Sequence, residues 1–267
     1  LNTRQDVYID FGDGTSYTGN GTLIPNHVYE AGSYEIKIES DRICLNFTTR
    51  NGSNTTYGVP YLKSVQFNGT TEYENIMIGG RGAELNRIIC DPQNAPLLLQ
   101  TKFTRCFMET KLEEIPENLF ANCTEAVDFD YCFYGVTTLS AISEKLFYNN
   151  QKVTNFENCF ARCSSLVSIP ENLFRNNPLV TSFNFCFGSC TSLTGIPENL
   201  FWNNPEVKRF ASCFIFCSSL TGIPEKLFNN SPHVTSFDHC FNSCPPLTCI
   251  PENLFWNTPE LTDFSSS

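Results

Sequence analysis

Residues 186–212 read C-F-G-S-C-T-S-L-T-G-I-P-E-N-L-F-W-N-N-P-E-V-K-R-F-A-S, and at Cys213 the phrase starts over with C-F. The unit is 27 residues long: Cys132, Cys159, Cys186, Cys213 and Cys240 follow one another at that interval, and Cys106 precedes Cys132 by 26. Each of these cysteines is followed by phenylalanine (Phe107, Phe133, Phe160, Phe187, Phe214 and Phe241). Four positions on, the last four copies carry a second cysteine (Cys163, Cys190, Cys217, Cys244), where the first two have Thr110 and Val136. The phrase I-P-E-x-L-F recurs from Ile115, Ile169, Ile196, Ile223 and Ile250, with the variant I-S-E-K-L-F from Ile142. A fixed period of this size marks a solenoid, in which each coil packs only on its neighbours.

Within one unit, Val180-Thr181-Ser182-Phe183 and Leu193-Thr194-Gly195-Ile196 read as short extended pieces. Pro197-Glu198 has the chemistry of a helix start, proline at the first position and an acid in the first turn. Asn203-Asn204-Pro205 reads as its stop, because Asn tolerates a left-handed exit and Pro cannot continue a helix. The expected fold class is therefore α/β (mixed): a solenoid of 27-residue coils, each with short strands and one short helix.

The phrase L-x-x-I-P-E-x-L-F with an upstream V-x-x-F resembles a leucine-rich repeat. With C-F-x-x-C-S-S-L inserted, it is similar to the BspA-like leucine-rich repeats of bacterial surface proteins and of some parasitic protists. Six copies span 106–267. Phe and Cys stand at several positions where ordinary leucine-rich repeats use Leu and Asn. The resemblance implies a leucine-rich-repeat solenoid and a role in surface binding and adhesion; it implies no particular ligand.

Ahead of the repeats, residues 1–45 read as short strands and turns, with Asp6-Val7-Tyr8-Ile9-Asp10-Phe11 alternating before the turn Gly12-Asp13-Gly14-Thr15. D-F-G-D-G-T followed by H-x-Y-x-x-G-x-Y-x-I-x-I from His27 resembles the PKD-type β domains of cell-surface proteins, which implies a small all-β module. An aspartate phosphatase would want its two acids closer than Asp10 and Asp13 stand, and calcium would want more oxygens than this loop offers; turn-forming aspartates account for both. Residues 46–105 read as a polar linker followed by degenerate opening coils, in which Leu62, Val65 and Phe67, then Leu85, Ile88 and Cys90, keep the repeat spacing.

The chain has 267 residues and a net charge of −11. An acidic chain lacks the basic footprint that nucleic acid or an anionic membrane surface needs. No apolar run is long enough to enter a bilayer, so no membrane insertion is expected. Leu1 is consistent with a removed signal peptide, and a secreted or cell-surface location is expected.

Equivalent cysteines in stacked coils would form columns at about the strand spacing of 4.8 Å, with parallel Cβ vectors that disfavour bridging. Buried free thiols are expected, with a bridge within a coil such as Cys186 to Cys190, or a zinc site, as alternatives. Cys44, Cys90, Cys123 and Cys249 stand outside both columns. No nucleophile, metalloprotease, phosphate-loop or dinucleotide motif occurs, and the Glu of I-P-E recurs in every copy as scaffold. Neither an enzyme, a metal nor a cofactor is expected.

Information about function lies in the columns that vary between copies. Exposed aromatics beside polar groups build binding surfaces. The candidate ligand-binding residues are Tyr131, Tyr134, Phe185, Trp202, His239 and Trp256, with Asp130, Glu157 and Asp238. The function read from them is a non-enzymatic adhesin or binding scaffold for a host or neighbouring-cell protein or glycan. Neutral drift of a solvated face is the bland account of the same variation. The rivals are a structural spacer displaying other domains and an accessory carbohydrate-binding protein. At the C-terminal coil, Phe255, Trp256 and Leu261 are expected to be exposed, with end-to-end self-association, or contact with a downstream segment, through that coil.

Overall fold

The computed structural model describes residues 7–10, 14–19, 37–39, 42–46, 48–50, 56–58, 63–67, 72–91, 93–263 and 265. At the N-terminal end, β1 (Val7–Asp10), β2 (Ser16–Gly19) and β3 (Lys37–Glu39) form an antiparallel sheet in the order β2-β1-β3. Asp10 pairs with Ser16, and Gly14 just before the second strand adopts φ 89°. The His27-Val28-Tyr29 phrase and residues 1–6 lie outside the described residues.

The stretch 46–58, polar by composition, carries an antiparallel pair, β5 (Thr48–Arg50) with β6 (Thr56–Gly58). The remaining pairs are parallel: β4 (Arg42–Asn46) and β10 (Leu97–Leu98) flank β8 (Glu72–Met77), and β7 (Ser64–Phe67) lies on β9 (Arg87–Cys90). Val65 is paired with Ile88, so the two degenerate phrases stack on one another. In β7, Val65 and Phe67 are buried while Ser64 and Gln66 are exposed, the alternation of a strand with one face on a core.

From residue 102 onward the strands stop. A single parallel bridge per coil continues the stack: Lys102 to Asp128, Asn155, Ser182, Arg209, Ser236 and Asp263. Among the described residues there is no helix, so the mixed α/β class is overturned: the expected strands are reduced to one bridge and the expected helix to turns. In the segment 197–204, Leu200 N–H donates to Pro197 (3.3 Å), Trp202 to Asn199 (3.1 Å) and Asn204 to Phe201 (3.1 Å). These bonds reach back three residues and come from alternate residues, a chain of linked turns. One or two turns of α-helix would add too few bonds to offset the cost of nucleation.

Each coil has three sides: a cysteine wall (180–190), a short side (193–196) and a proline wall (197–204). From Phe183 to Cys190 the cysteine wall places its backbone donors by division of labour, with Asn184 N–H on Ser182 Oγ (3.3 Å). Cys186, Gly188 and Cys190 donate within the coil, to Phe183, Phe185 and Phe187, at 3.0 to 3.2 Å. The alternate residues Phe183, Phe185, Phe187 and Ser189 donate to Arg209, Ala211, Cys213 and Ile215 of the next coil, at 2.6 to 3.1 Å. Phe185 (φ 55°) and Ser189 (φ 61°) take up the left-handed conformation this weave needs. Every described non-glycine residue with positive φ falls at one of these two repeat positions, at a cost of about 1 to 3 kcal/mol each.

The core is three ladders of phenylalanine. Phe183 stacks on Phe156 (5.8 Å) and Phe210 (5.7 Å), Phe187 on Phe160 (5.7 Å) and Phe214 (5.8 Å), and Phe201 on Phe174 (6.2 Å) and Phe228 (6.1 Å). The third ladder meets the first at a tilt, Phe183 to Phe201 at 4.7 Å and 49°. Such offset and tilted pairs contribute about 0.5 to 1.5 kcal/mol each beyond area burial.

Cys90 and the cysteines from Cys106 to Cys249 are unbridged, and both columns are buried. Sγ–H of Cys163, Cys190, Cys217 and Cys244 donates to the carbonyl of Phe133, Phe160, Phe187 and Phe214, 3.1 to 3.3 Å away in the coil before. Burial pushes the Cys163 thiol up to about 12 and holds Cys186 well above its ordinary range. These thiols are packing groups, with no thiolate to react.

Asn204 is no helix stop. Its buried Nδ2 donates to the carbonyls of Phe174 (3.0 Å) and Asn177 (2.9 Å), and Asn177 repeats this on Phe147 (3.1 Å) and Asn150 (2.9 Å). Cys123 opens this column, with Ser231 and Thr258 continuing it. The Glu of I-P-E likewise starts no helix: Glu171 accepts Asn199 Nδ2 at 2.7 Å, and Glu117 accepts Lys145 Nζ at 3.3 Å.

Candidate functional site

The weave of the cysteine wall decides which residues face outward. Phe183, Cys186, Phe187 and Cys190 point inward, so Asn184, Phe185 and Ser189 line the outer surface, with Gly188 buried between. The proline wall packs Phe201 against Phe183 across the core, so the adjacent Trp202 emerges on the far side. The candidate residues thus divide between two faces.

On the cysteine wall, Asp130, Tyr131, Tyr134 and Glu157 come together. The Tyr131 and Tyr134 rings lie 5.1 Å apart, with the Arg105 guanidinium 5.2 Å over Tyr131 and that of Arg162 5.4 Å over Tyr134. The four form a cation–aromatic chain across three coils. Asp130 sits beside it. Burial first, then the Asp128 and Glu157 carboxylates, push its carboxyl up to about 6 against the pull of Asn158 and Arg105. Glu157 Oε1 accepts Ser182 Oγ (2.6 Å), Asn184 Nδ2 (3.3 Å) and Arg209 Nη2 (3.3 Å).

Further along the same wall, the half-buried Phe185 ring lies over Gly188, where a Cβ would meet it at 2.8 Å. Glycine there gives the ring its seat. Asp238 accepts Ser265 Oγ and faces His239 Nδ1, both at 2.6 Å. The serine bond first, then the histidine, hold the Asp238 carboxyl below its usual range. Ser265 donates to the aspartate and not to the imidazole, so this trio is not wired to activate a nucleophile. Among the described residues no group of three or more His, Cys, Asp or Glu is placed to hold a metal ion.

On the proline wall, Trp202 (49% exposed), Trp256 (80%) and Tyr148 (59%) occupy one repeat position, two coils apart from one to the next. Phe255 and Leu261, expected to be exposed with Trp256, are partly buried against the core; Phe264 and Ser267 lie outside the described residues.

The sequence reading left Arg105 and Arg162 out of the site, because the role of each depends on a ring in a neighbouring coil. It also missed Phe216, 48% exposed at the second left-handed position. Its signal was there to be found: the same column holds Glu109, Gly135, Arg162, Ser189 and Ser243. No protein-family model, curated protein or solved structure matches the chain.

Proposed function

We propose that this chain is a non-enzymatic binding scaffold, secreted or displayed at a cell surface, that recognises a host or neighbouring-cell protein or glycan through the outward residues of its coils. One observation carries this reading. Inward positions keep one residue type from coil to coil, whereas the outward ones change and include aromatics set among charges, as at Arg105, Tyr131, Tyr134 and Arg162. Variation on an identical backbone is how repeat proteins acquire ligands without altering their fold. The sequence resemblance to BspA-like repeats and to a PKD-type module, both found in surface proteins, supports the location.

The test is a glycan array together with capture of labelled cell-surface proteins, run with the native chain and with two variants: Tyr131, Tyr134 and Phe185 changed to Ser on the cysteine wall, and Trp202 and Trp256 changed to Ala on the proline wall. Retention of a ligand that one of the two variants loses is the expected result. A native chain that retains nothing on either screen is a spacer, and the proposal fails.

A further inference from the structure

The chain has two tryptophans, Trp202 and Trp256, and both are exposed at one repeat position of the proline wall. Tryptophan is seldom left so open to solvent. The column reads Tyr148, Arg175, Trp202, Asn229, Trp256, with an aromatic ring on every second coil and a polar residue between. The three rings leave the backbone from equivalent turns: Tyr148, Trp202 and Trp256 N–H donate to Lys145, Asn199 and Asn253, each at 3.1 Å. The turns are also stapled from the next coil, by Asn176 Nδ2 on the Tyr148 carbonyl at 3.0 Å and by Asn230 Nδ2 on that of Trp202. The rings therefore stand on a fixed backbone, and binding need not order it.

The spacing selects the ligand class. The phenylalanine ladder directly beneath advances 6.2 Å from Phe147 to Phe174 and 6.2 Å from Phe174 to Phe201. Two such steps of the core underlie each pair of successive exposed rings, a span comparable with two pyranose units in an extended chain. A protein hot spot is a contiguous, desolvated cluster ringed by polar groups, whereas here the rings are set in a line with Arg175 and Asn229 between them. A polymer that offers an apolar C–H face at intervals, edged with hydroxyls, suits isolated rings alternating with hydrogen-bonding side chains. The charge beside the column selects further: Glu144, Glu171, Glu198, Glu225 and Glu252 repeat once per coil in a chain of net charge −11, which repels polyanions.

We propose that this column is a binding strip for a neutral β-1,4-linked polysaccharide laid along the coil stack. Tyr148, Trp202 and Trp256 stack on sugar faces, and Arg175 and Asn229 donate to hydroxyls between them. The inference rests on the binding-scaffold reading above and gives it a face and a ligand class.

Because both tryptophans lie in the strip, their fluorescence reports its occupancy. The full chain is titrated with cellohexaose, chitohexaose and xylohexaose, with maltohexaose as the curved α-linked control. At least one β-linked hexasaccharide should shift the emission saturably, and the matching disaccharide should bind at least about tenfold more weakly, since it engages one ring and not three. Trp202→Ala with Trp256→Ala should abolish retention on the matching polymer, with the thermal midpoint unchanged; a change at the exposed Val167 of the short side, Val167→Ser, should leave retention intact. No emission change with any of these sugars overturns the strip, as does retention that survives the double substitution. If Tyr131→Ser alone abolishes retention of a sugar, or a protein, the strip falls while the binding-scaffold reading stands.

Discussion

On the cysteine wall, backbone meets backbone: four N–H groups per coil, those of Phe183, Phe185, Phe187 and Ser189, cross to the next coil. On the proline wall the link is a side chain, the buried amide of Asn204 reaching two carbonyls of the coil before. The difference shows where the repeat can vary. A wall held by its backbone asks nothing of its outward side chains, so Tyr131, Asn158, Phe185, Ser212 and His239 replace one another at a left-handed position. A wall held by a side chain keeps its donor where it is stapled, at Asn150, Asn177 and Asn204; toward the end of the column the staple lapses, with Ser231 Oγ unpartnered and Thr258 Oγ1 donating to Phe255 of its own coil.

The two walls share their core, and breaking it has the largest expected effect. Phe187→Ala or Phe201→Ala should cost about 3 to 5 kcal/mol, the usual range for a large core aromatic, read as a fall in the denaturation midpoint. If the Phe201 change alone were tolerated, the proline wall would be a loose cover and the symmetry of the ladders would have no energetic meaning.

Next comes the staple. Asn177→Ala removes both side-chain donors to the carbonyls of Phe147 and Asn150. Each carbonyl keeps one backbone N–H, from Asn150 (3.1 Å) and Val153 (3.2 Å), so the change forfeits two hydrogen bonds at about 0.5 to 1.5 kcal/mol each. The loss is offset in part, because the Asn177 Oδ1 that goes with it is itself buried and unpartnered. A net cost of about 2 kcal/mol is expected. Cys190→Ala on the opposite wall gives up one weak sulfur donor and should cost about 1 kcal/mol. A cysteine change as costly as the asparagine change would erase the contrast between the walls.

Smaller still is the strain in the weave. Phe216 holds φ 59° and Gly135, at the same repeat position, holds φ 69°. Phe216→Gly should stabilise by about 0.5 to 1 kcal/mol and Gly135→Ala should destabilise by a similar amount. Opposite signs in chemical denaturation would show that strain at this position is borne for the sake of an exposed ring.

The period, the ladders of Phe and Cys and the buried state of the thiols were legible in the sequence, because a column that must stack on itself keeps one residue type. The class was not. Pro197-Glu198 and Asn203-Asn204-Pro205 suit linked turns as well as helix ends, and only the alternate i to i−3 bonding of Leu200, Trp202 and Asn204 tells them apart. The left-handed positions carried a glycine only once, at Gly135, since Phe, Tyr, Arg and His are among the residues that fill the others. Among the candidate site residues, variation marked the outward columns, but a linear pattern does not say which wall a column is on. Trp202 and Tyr131 were therefore grouped although they open on different sides.

The smallest effect belongs to Asp130, where the outer face of the cysteine wall carries charge into a half-buried place. Its carboxyl is raised from 3.8 to about 6 by burial, Asp128 and Glu157, with Asn158 and Arg105 opposing. Between those two values the folded chain holds the proton more tightly than the unfolded chain, so stability falls as pH rises through this window. At neutral pH the ionised carboxylate is a net cost, screened by the solvent it still meets to below about 1 kcal/mol. Asp130→Asn should therefore raise the thermal midpoint slightly at pH 7, with the advantage shrinking toward pH 4, where the native side chain is protonated and neutral as well. Added salt should shrink the same advantage, because part of it is repulsion from Asp128 and Glu157. A difference between variant and native chain that is flat from pH 4 to pH 7 would mean that Asp130 is no more burdened than any surface acid, and that the cation–aromatic chain beside it leaves the wall fully open to water.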